Sequence, residues 1–266
     1  MYLDYWQLTE FPFDNGSNQE FYYESEKHRH LADSITDAIM RHKGVIALTG
    51  EIGCGKTTLS QHVLLGLPDD RFDIILITYP RLSPHEMLSE IAIQMDIPAE
   101  GKDKVALIHA IQERLIHNME RERDTVICID EAQSIPSTET FEELRLLLNF
   151  QFADHFILTL FFVGQPELDD QFKTLPQLEQ RIALRLNLSA MNMDEAIHYI
   201  LKRLQTAGCR KPILTKQAAM AIHHLTKGIP RRINHLADYC LLTGMQMESP
   251  IIDRNLVAET FKRYSC

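Results

Sequence analysis

Residues 50–59 read GEIGCGKTTL, with GVIAL (44–48) before them and SQHVLLGL (60–67) after them. A short apolar run leads into a glycine-rich turn, and the turn opens onto a stretch with helical spacing. Gly50-x4-Gly55-Lys56-Thr57 is a complete Walker A pattern, in the strand–turn–helix context that the motif requires. Its glycines let backbone N–H groups turn inward around phosphate oxygens, and the helix N-terminus adds partial positive charge. Gly50, Glu51, Ile52, Gly53, Cys54, Gly55, Lys56, Thr57 and Thr58 are therefore the candidate nucleotide cradle. Lys56 is expected to reach the β- and γ-phosphates, and Thr57 to offer its hydroxyl to Mg²⁺. A plain glycine-rich turn leaves Lys56-Thr57 without a reason. Cys54 reads as a small side chain that the turn tolerates rather than as a redox group.

The second half of such a site is expected on another strand. TVICIDEAQ (125–133) is a β-branched run ending in Asp130-Glu131, so both carboxylates emerge at a strand's C-terminal edge, where open α/β sheets place their ligands. Asp130 suits Mg²⁺ held through water, and Glu131 suits a general base that polarises the attacking water. FFVGQPEL (161–168) ends a further apolar strand at Gln165. A strand lying between the two Walker strands brings that amide beside a γ-phosphate; a simple strand-to-turn transition is the competing reading. LEQRIALRLNL (178–188) sets Arg181 and Arg185 four apart. They are ordinary surface arginines, or one is a finger reaching a neighbouring subunit's nucleotide, with Arg181 the better placed. KGIPRRINHLAD (227–238) starts a helix at Pro230 with Arg231-Arg232 behind it. One of these suits a sensor of the γ-phosphate and the other faces solvent.

Around these motifs, apolar strand-like runs at 44–49, 72–78, 125–129 and 156–163 alternate with helices beginning near 56, 84, 104 and 138. That alternation predicts a parallel sheet covered by helices on both faces. SPHE (83–86) predicts a capped helix start, with Ser83 as cap and Glu86 closing a capping box. From about 191 the strands stop, and helical patterns follow at 193–207, 215–226, 230–244 and 253–264. The expected organisation is an N-terminal aromatic arm and helix over 1–42, a P-loop αβα core over 43–190 and a helical domain over 191–266. The arm is expected to pack in extended form on the core.

The chain has 266 residues, 45% of them hydrophobic, and its longest apolar run is the eight residues FILTLFFV (156–163). A membrane-spanning helix needs about 20, so no span is expected. The N-terminus has neither a basic segment nor an apolar stretch of signal-peptide type. Five cysteines (Cys54, Cys128, Cys209, Cys240, Cys266), odd in number and never in a CxxC pair, read as reduced thiols of a cytoplasmic protein. The histidines show no zinc spacing, so no metal beyond Mg²⁺ is expected. The net charge of −10 is unevenly spread: residues 190–266 carry 11 Lys/Arg against 6 Asp/Glu, net +5, and residues 1–189 carry 16 against 31, net −15. The split is either two solvated surfaces or a functional polarity.

With these residues in view, the chain resembles the AAA+ ATPases of the ExeA/GspA type (general secretion pathway protein A-like). The likeness runs over nearly all of it: Tyr5, Phe11-Pro12-Phe13, Phe21 to Ser25 and His28, then GEIGCGKTT, IDEAQ, GQPEL, QRI and GIPRRIN in that order. The resemblance implies an ASCE-type P-loop NTPase with a small all-helical lid, hydrolysing ATP with Mg²⁺. It implies a nucleotide-dependent, hexamer-like ring or filament that drives or switches assembly of a cell-envelope secretion or pilus system from the cytoplasm, peripheral to the inner membrane through partners. It assigns Gln165 to sensor 1, Arg181 to the arginine finger and Arg231 to sensor 2, beside Lys56 and Glu131 in the catalytic set. Related ATPases of the TniB/TnsC type share this core and regulate transposition on double-stranded DNA, a reading the basic C-terminal piece keeps open. Two departures stand out. Family members often continue into a membrane span and a peptidoglycan-binding module, neither of which is carried over here. The family also commonly has Asn before the proline that follows the second core strand, where this chain reads Thr78-Tyr79-Pro80.

Overall fold

The structure, a computed structural model, describes residues 1–16, 19–152 and 155–264. Cys266, one of the thiols considered above, lies outside the described residues. The chain divides into two units, one of Lys27–Glu51 and Lys56–Leu188, the other of Met1–Glu26, Ile52–Gly55 and the chain from Ser189 onward.

The first unit carries strands β1 (Val45–Thr49), β2 (Phe72–Ile77), β3 (Asp124–Ile129), β4 (Gln151–Phe152), β5 (His155–Phe156), β6 (Leu158–Gly164) and β7 (Ile182–Asn187). β4 and β5 form a separate antiparallel pair. The other five make one parallel sheet in the order β2-β3-β6-β1-β7. β1, β3 and β6 are buried almost throughout, as expected of continuous apolar runs covered on both faces. Ala47, Ile77, Ile129 and Phe162 join a core with Met87 and Leu88 of the helix Pro84–Gln94 and Leu107 and Ile111 of the helix Lys104–Glu120. The alternate residues Leu48, Cys128, Phe161 and Val163 are also fully buried, and the helix Lys56–Leu65 packs against β6. Each large apolar side chain so buried contributes about 1.5–3 kcal/mol. The capping box at Ser83 is formed: the Glu86 carboxylate accepts from the Ser83 N–H at 2.8 Å, and Ser83 Oγ accepts from the Glu86 N–H at 3.4 Å.

β7 is a strand beyond those expected. It reads IALRLN, with half-buried and exposed residues alternating. It lies at the sheet edge beside β1, and Ile182, Leu184 and Leu186 do carry the period of two of a half-buried strand, in a stretch that drew notice only for its arginines.

The second unit is helical, with Met193–Thr206, Lys216–Thr226, Pro230–Gln246 and Arg254–Tyr264. Its core takes Tyr2, Trp6, Leu8, Phe13 and Phe21 from the N-terminal segment, beside Tyr199, Ile200, Ile233 and Leu241. This corrects the expectation of one extended arm on the core: Tyr2–Trp6 is a short helix, and residues 1–26 belong to the helical unit. The reason is aromatic burial anchored by polar contacts. Trp6 Nε1 donates to the Leu241 carbonyl at 2.8 Å. Buried Arg203 donates to the Pro12 and Asp14 carbonyls at 2.5 and 2.6 Å, with its guanidinium 4.9 Å from the centre of the Phe21 ring.

The placement also revises the charge split. Residues 1–26 hold 6 Asp/Glu and no Lys/Arg, so the helical unit has 11 basic against 12 acidic residues, net −1. The +5 of residues 190–266 is neutralised within its own unit. Among the described residues, no helix is long and apolar enough to cross a membrane.

Candidate functional site

In the sheet unit the candidate residues gather at the C-terminal ends of β1, β3 and β6. Lys56 opens the helix Lys56–Leu65 and is buried, 6% exposed. Its ammonium donates to the carbonyls of Gly50 at 2.8 Å and Glu51 at 3.1 Å. A buried ammonium is costly unless its donors are satisfied, and its place at the first turn of a helix is one where an anion is favoured. A Cβ built on Gly55 would meet nothing within 4 Å, so the loop borders open space there. Both observations fit a phosphate group.

Thr57 Oγ1 donates to Asp130 Oδ2 at 2.7 Å, and Asp130 Oδ1 accepts from the Glu131 N–H at 2.9 Å. Asp130 is buried at the end of β3. A hydroxyl beside a carboxylate is an oxygen donor set of the kind hard cations take, which fits Mg²⁺. Burial first, and then the charge of Asp130, pushes the Cys128 thiol well above the usual thiol range. That thiol stays protonated and inert.

Glu131 is exposed and sits in the left-handed region, φ 50°. Its Oε2 accepts from Gln133 Nε2 at 2.6 Å and from Gln165 Nε2 at 3.4 Å. β6 lies between β3 and β1, which brings Gln165 to the carboxylate. Gln133 escaped sequence reasoning. Its only signal is its place two residues after Glu131, and its second partner, the backbone of Gln165, arrives from another strand. Tyr79, where the family commonly has Asn, is 69% exposed.

Arg185 in β7 and Arg181 just before it are held by their own chain. Arg185 meets Glu179 at 3.2 Å and Asp169 at 3.6 Å and lies over the Phe172 ring. Asp169 in turn accepts from Thr49 Oγ1 at 3.0 Å, a link from β1 to the arginine that no motif announces. Arg181 Nη2 donates to Asn149 Oδ1 at 2.6 Å, and its buried Nη1 has no partner among the described residues.

The tip of the loop, Ile52–Gly55, belongs to the helical unit. There the Arg231 N–H donates to the Gly53 carbonyl at 3.3 Å. The side chains of Arg231 and Arg232 are both exposed, as is Ile52, while Cys54 is buried.

A family model described as an AAA domain matches residues 39–172, a little over half of the chain. General secretion pathway protein A of Aeromonas hydrophila is 34% identical over 247 residues, 92% of this chain and 45% of that protein. The chain thus spans less than half the length of the curated relative it matches. Among solved structures, the Aeropyrum pernix ORC2 protein in ADPNP-ADP complexes is similar with a TM-score of 0.71 at 17% identity, over 94% of this chain and 71% of that one. The Thermotoga maritima RuvB Holliday junction branch migration motor is similar with a TM-score of 0.62 at 20% identity, over 96% of this chain and 73% of that one. At such identities these structures show the fold, a parallel-sheet P-loop architecture with a helical C-terminal region.

Proposed function

The chain belongs to the AAA domain family, and from that premise we propose that it is a Mg²⁺-dependent ATPase converting ATP and water to ADP and phosphate. The contact chain Thr57–Asp130–Glu131, with the buried Lys56 ammonium at the same sheet edge, is the observation that carries the reading. Gly50 to Thr58 would cradle the phosphates, Lys56 would meet the β- and γ-phosphates, and Thr57 and Asp130 would hold the metal. Mg²⁺ bound there would supply neutralisation of the negative charge that develops on the phosphates. Glu131 takes the proton of the attacking water, and Gln165 orients the reacting group beside it. Arg231, whose backbone fastens the loop tip, is assigned to sensing the γ-phosphate. Arg185 is engaged by two carboxylates, which favours Arg181 as the finger offered to a neighbouring copy.

On the likeness to general secretion pathway protein A, we assign the activity to assembly of a cell-envelope secretion or pilus system, exerted from the cytoplasm by a nucleotide-dependent ring or filament. The DNA-associated alternative comes from the core shared with ATPases of the TniB/TnsC type, and the basic C-terminal piece made it physically possible. The near-neutral helical unit weakens the charge argument for it and leaves the shared core.

Two variants test the activity. Lys56→Ala is expected to abolish ATP binding, since it removes the cation of the phosphate loop. Glu131→Gln is expected to keep ATP binding and to lose turnover by ~10² or more, the range seen for a positioned general base. Wild-type turnover in Glu131→Gln would sink the assignment. Measuring ATPase rate and particle size with each nucleotide, with and without duplex DNA, separates the assembly role from the DNA-bound one.

A further inference from the structure

Gln133 stands between the proposed general base and the strand that carries Gln165. Its Oε1 accepts from the Gln165 N–H at 3.0 Å, and its Nε2 donates to Glu131 Oε2 at 2.6 Å. The direction of this amide is fixed by chemistry. A backbone N–H can only donate and an ionised carboxylate can only accept, so a flipped amide would lose both bonds.

The surroundings hold the amide in place. Gln171 Nε2 donates to the Gln133 carbonyl at 3.0 Å, which ties down the short turn Ala132–Ser134. Residue 164 is glycine, and a Cβ there would lie 2.8 Å from Gln133 Oε1 and 2.8 Å from Leu168 Cδ2. Only a glycine leaves room for the side chain to reach the end of β6.

The consequence for Glu131 is a division of its two oxygens. Oε2 takes both amide donors, at 2.6 and 3.4 Å, and Oε1 has no partner among the described residues. The shorter bond is charge-assisted, the stronger class of hydrogen bond. An exposed glutamate otherwise samples several rotamers, and each costs catalysis unless it directs a lone pair at the water.

We propose that Gln133 is a positioning residue for the hydrolysis proposed above: its side-chain amide locks Glu131 through Oε2 and leaves Oε1 to accept the proton of the attacking water. The proposal rests on Glu131 being the general base.

The test is a four-protein cycle of wild type, Glu131→Gln, Gln133→Met and the double variant, with kcat and KM for ATP measured on each full-length chain. Gln133→Met keeps the length of the side chain and removes both amide bonds. We expect it to lower kcat roughly 10- to 100-fold, the cost of a misplaced catalytic group, with KM within about twofold of wild type because the phosphate contacts are untouched. In the Glu131→Gln background the same change is expected to have no further effect. A wild-type kcat for Gln133→Met overturns the proposal, and so does an equal fold-loss in both backgrounds, which would show action independent of Glu131. Wild-type turnover in Glu131→Gln instead overturns the general-base reading, and this proposal with it. Should Gln133→Met fail to fold, Gln133→Asn carries the test. Its amide is one methylene too short to span both partners, and the same kcat loss at constant KM is expected.

Discussion

The two units hold their polar groups in different ways. In the sheet unit the decisive contacts join residues at strand ends: Thr57 to Asp130, Glu131 to Gln133, Gln165 to Gln133. In the helical unit they run from one end of the chain to the other: Tyr2 to Asp238, Trp6 to Leu241, Arg203 to Pro12. A parallel sheet fixes where its strands end, so chemistry can be mounted there with few side chains. A bundle of short helices has no such frame and closes its core with the N-terminal segment. The first unit is therefore expected to be sensitive in rate, and the second in stability.

The largest test of that contrast is Trp6→Ala. Trp6 is buried, donates to Leu241, and packs so closely on Gly244 that a Cβ there would lie 2.6 Å from its ring. Truncating a buried aromatic costs about 3–5 kcal/mol. We expect hydrogen exchange to quicken in the helices Met193–Thr206 and Pro230–Gln246, while the amides of β3 and β6 keep their protection. Equal loss in the sheet would break the distinction between the units.

What the sequence disclosed follows the same line. β1, β3 and β6 were legible because a strand buried on both faces writes a continuous apolar run, and the Walker residues were legible because each follows such a run. β7 was missed although Ile182, Leu184 and Leu186 alternate with period two, because six residues alternately half-buried and exposed, with Arg185 among them, write no continuous apolar run. The place of the N-terminal aromatics was hidden for another reason. Tyr2, Trp6 and Phe13 announce that they will be buried, but their partners lie some two hundred residues away. Gln133 lies between these cases: it is part of a quoted motif, yet its task depends on the backbone of Gln165.

Arg203 offers a middle-sized test. It is 7% exposed, donates to two carbonyls of the N-terminal segment and to the Tyr199 hydroxyl, and Tyr199 donates on to Asn234 at 2.7 Å. Arg203→Met is expected to cost about 1–3 kcal/mol, the penalty of leaving buried acceptors unpaired. Arg203→Lys should restore little of it, because an ammonium cannot reproduce a planar fork aimed at three acceptors. Denaturant midpoints measured with constant m-values would check both. Full recovery in Arg203→Lys would show that charge alone, rather than fork geometry, binds the segment.

The smallest expected effect concerns surface charge. Arg210, Lys211 and Lys227 are exposed and lie outside the proposed nucleotide site. Read alone, residues 190–266 look basic, but their unit carries net −1 once residues 1–26 are counted. Exposed charges in such a mixed field contribute about 0–1 kcal/mol per pair and are screened by salt. Reversing all three to glutamate is therefore expected to leave ATP-dependent self-association nearly unchanged. Raising salt to 1 M, where the Debye length is about 3 Å, should matter equally little. A duplex contact by these three side chains would behave otherwise. Neutralising three phosphates gives a slope of about −2.7 in log affinity against log salt, and the reversal would abolish it. A slope near zero, the same before and after the reversal, is the expected result. A slope near −2.7 that vanishes with the three charges would show that the basic surface acts locally despite its neutral unit, and would move the functional assignment from assembly to DNA.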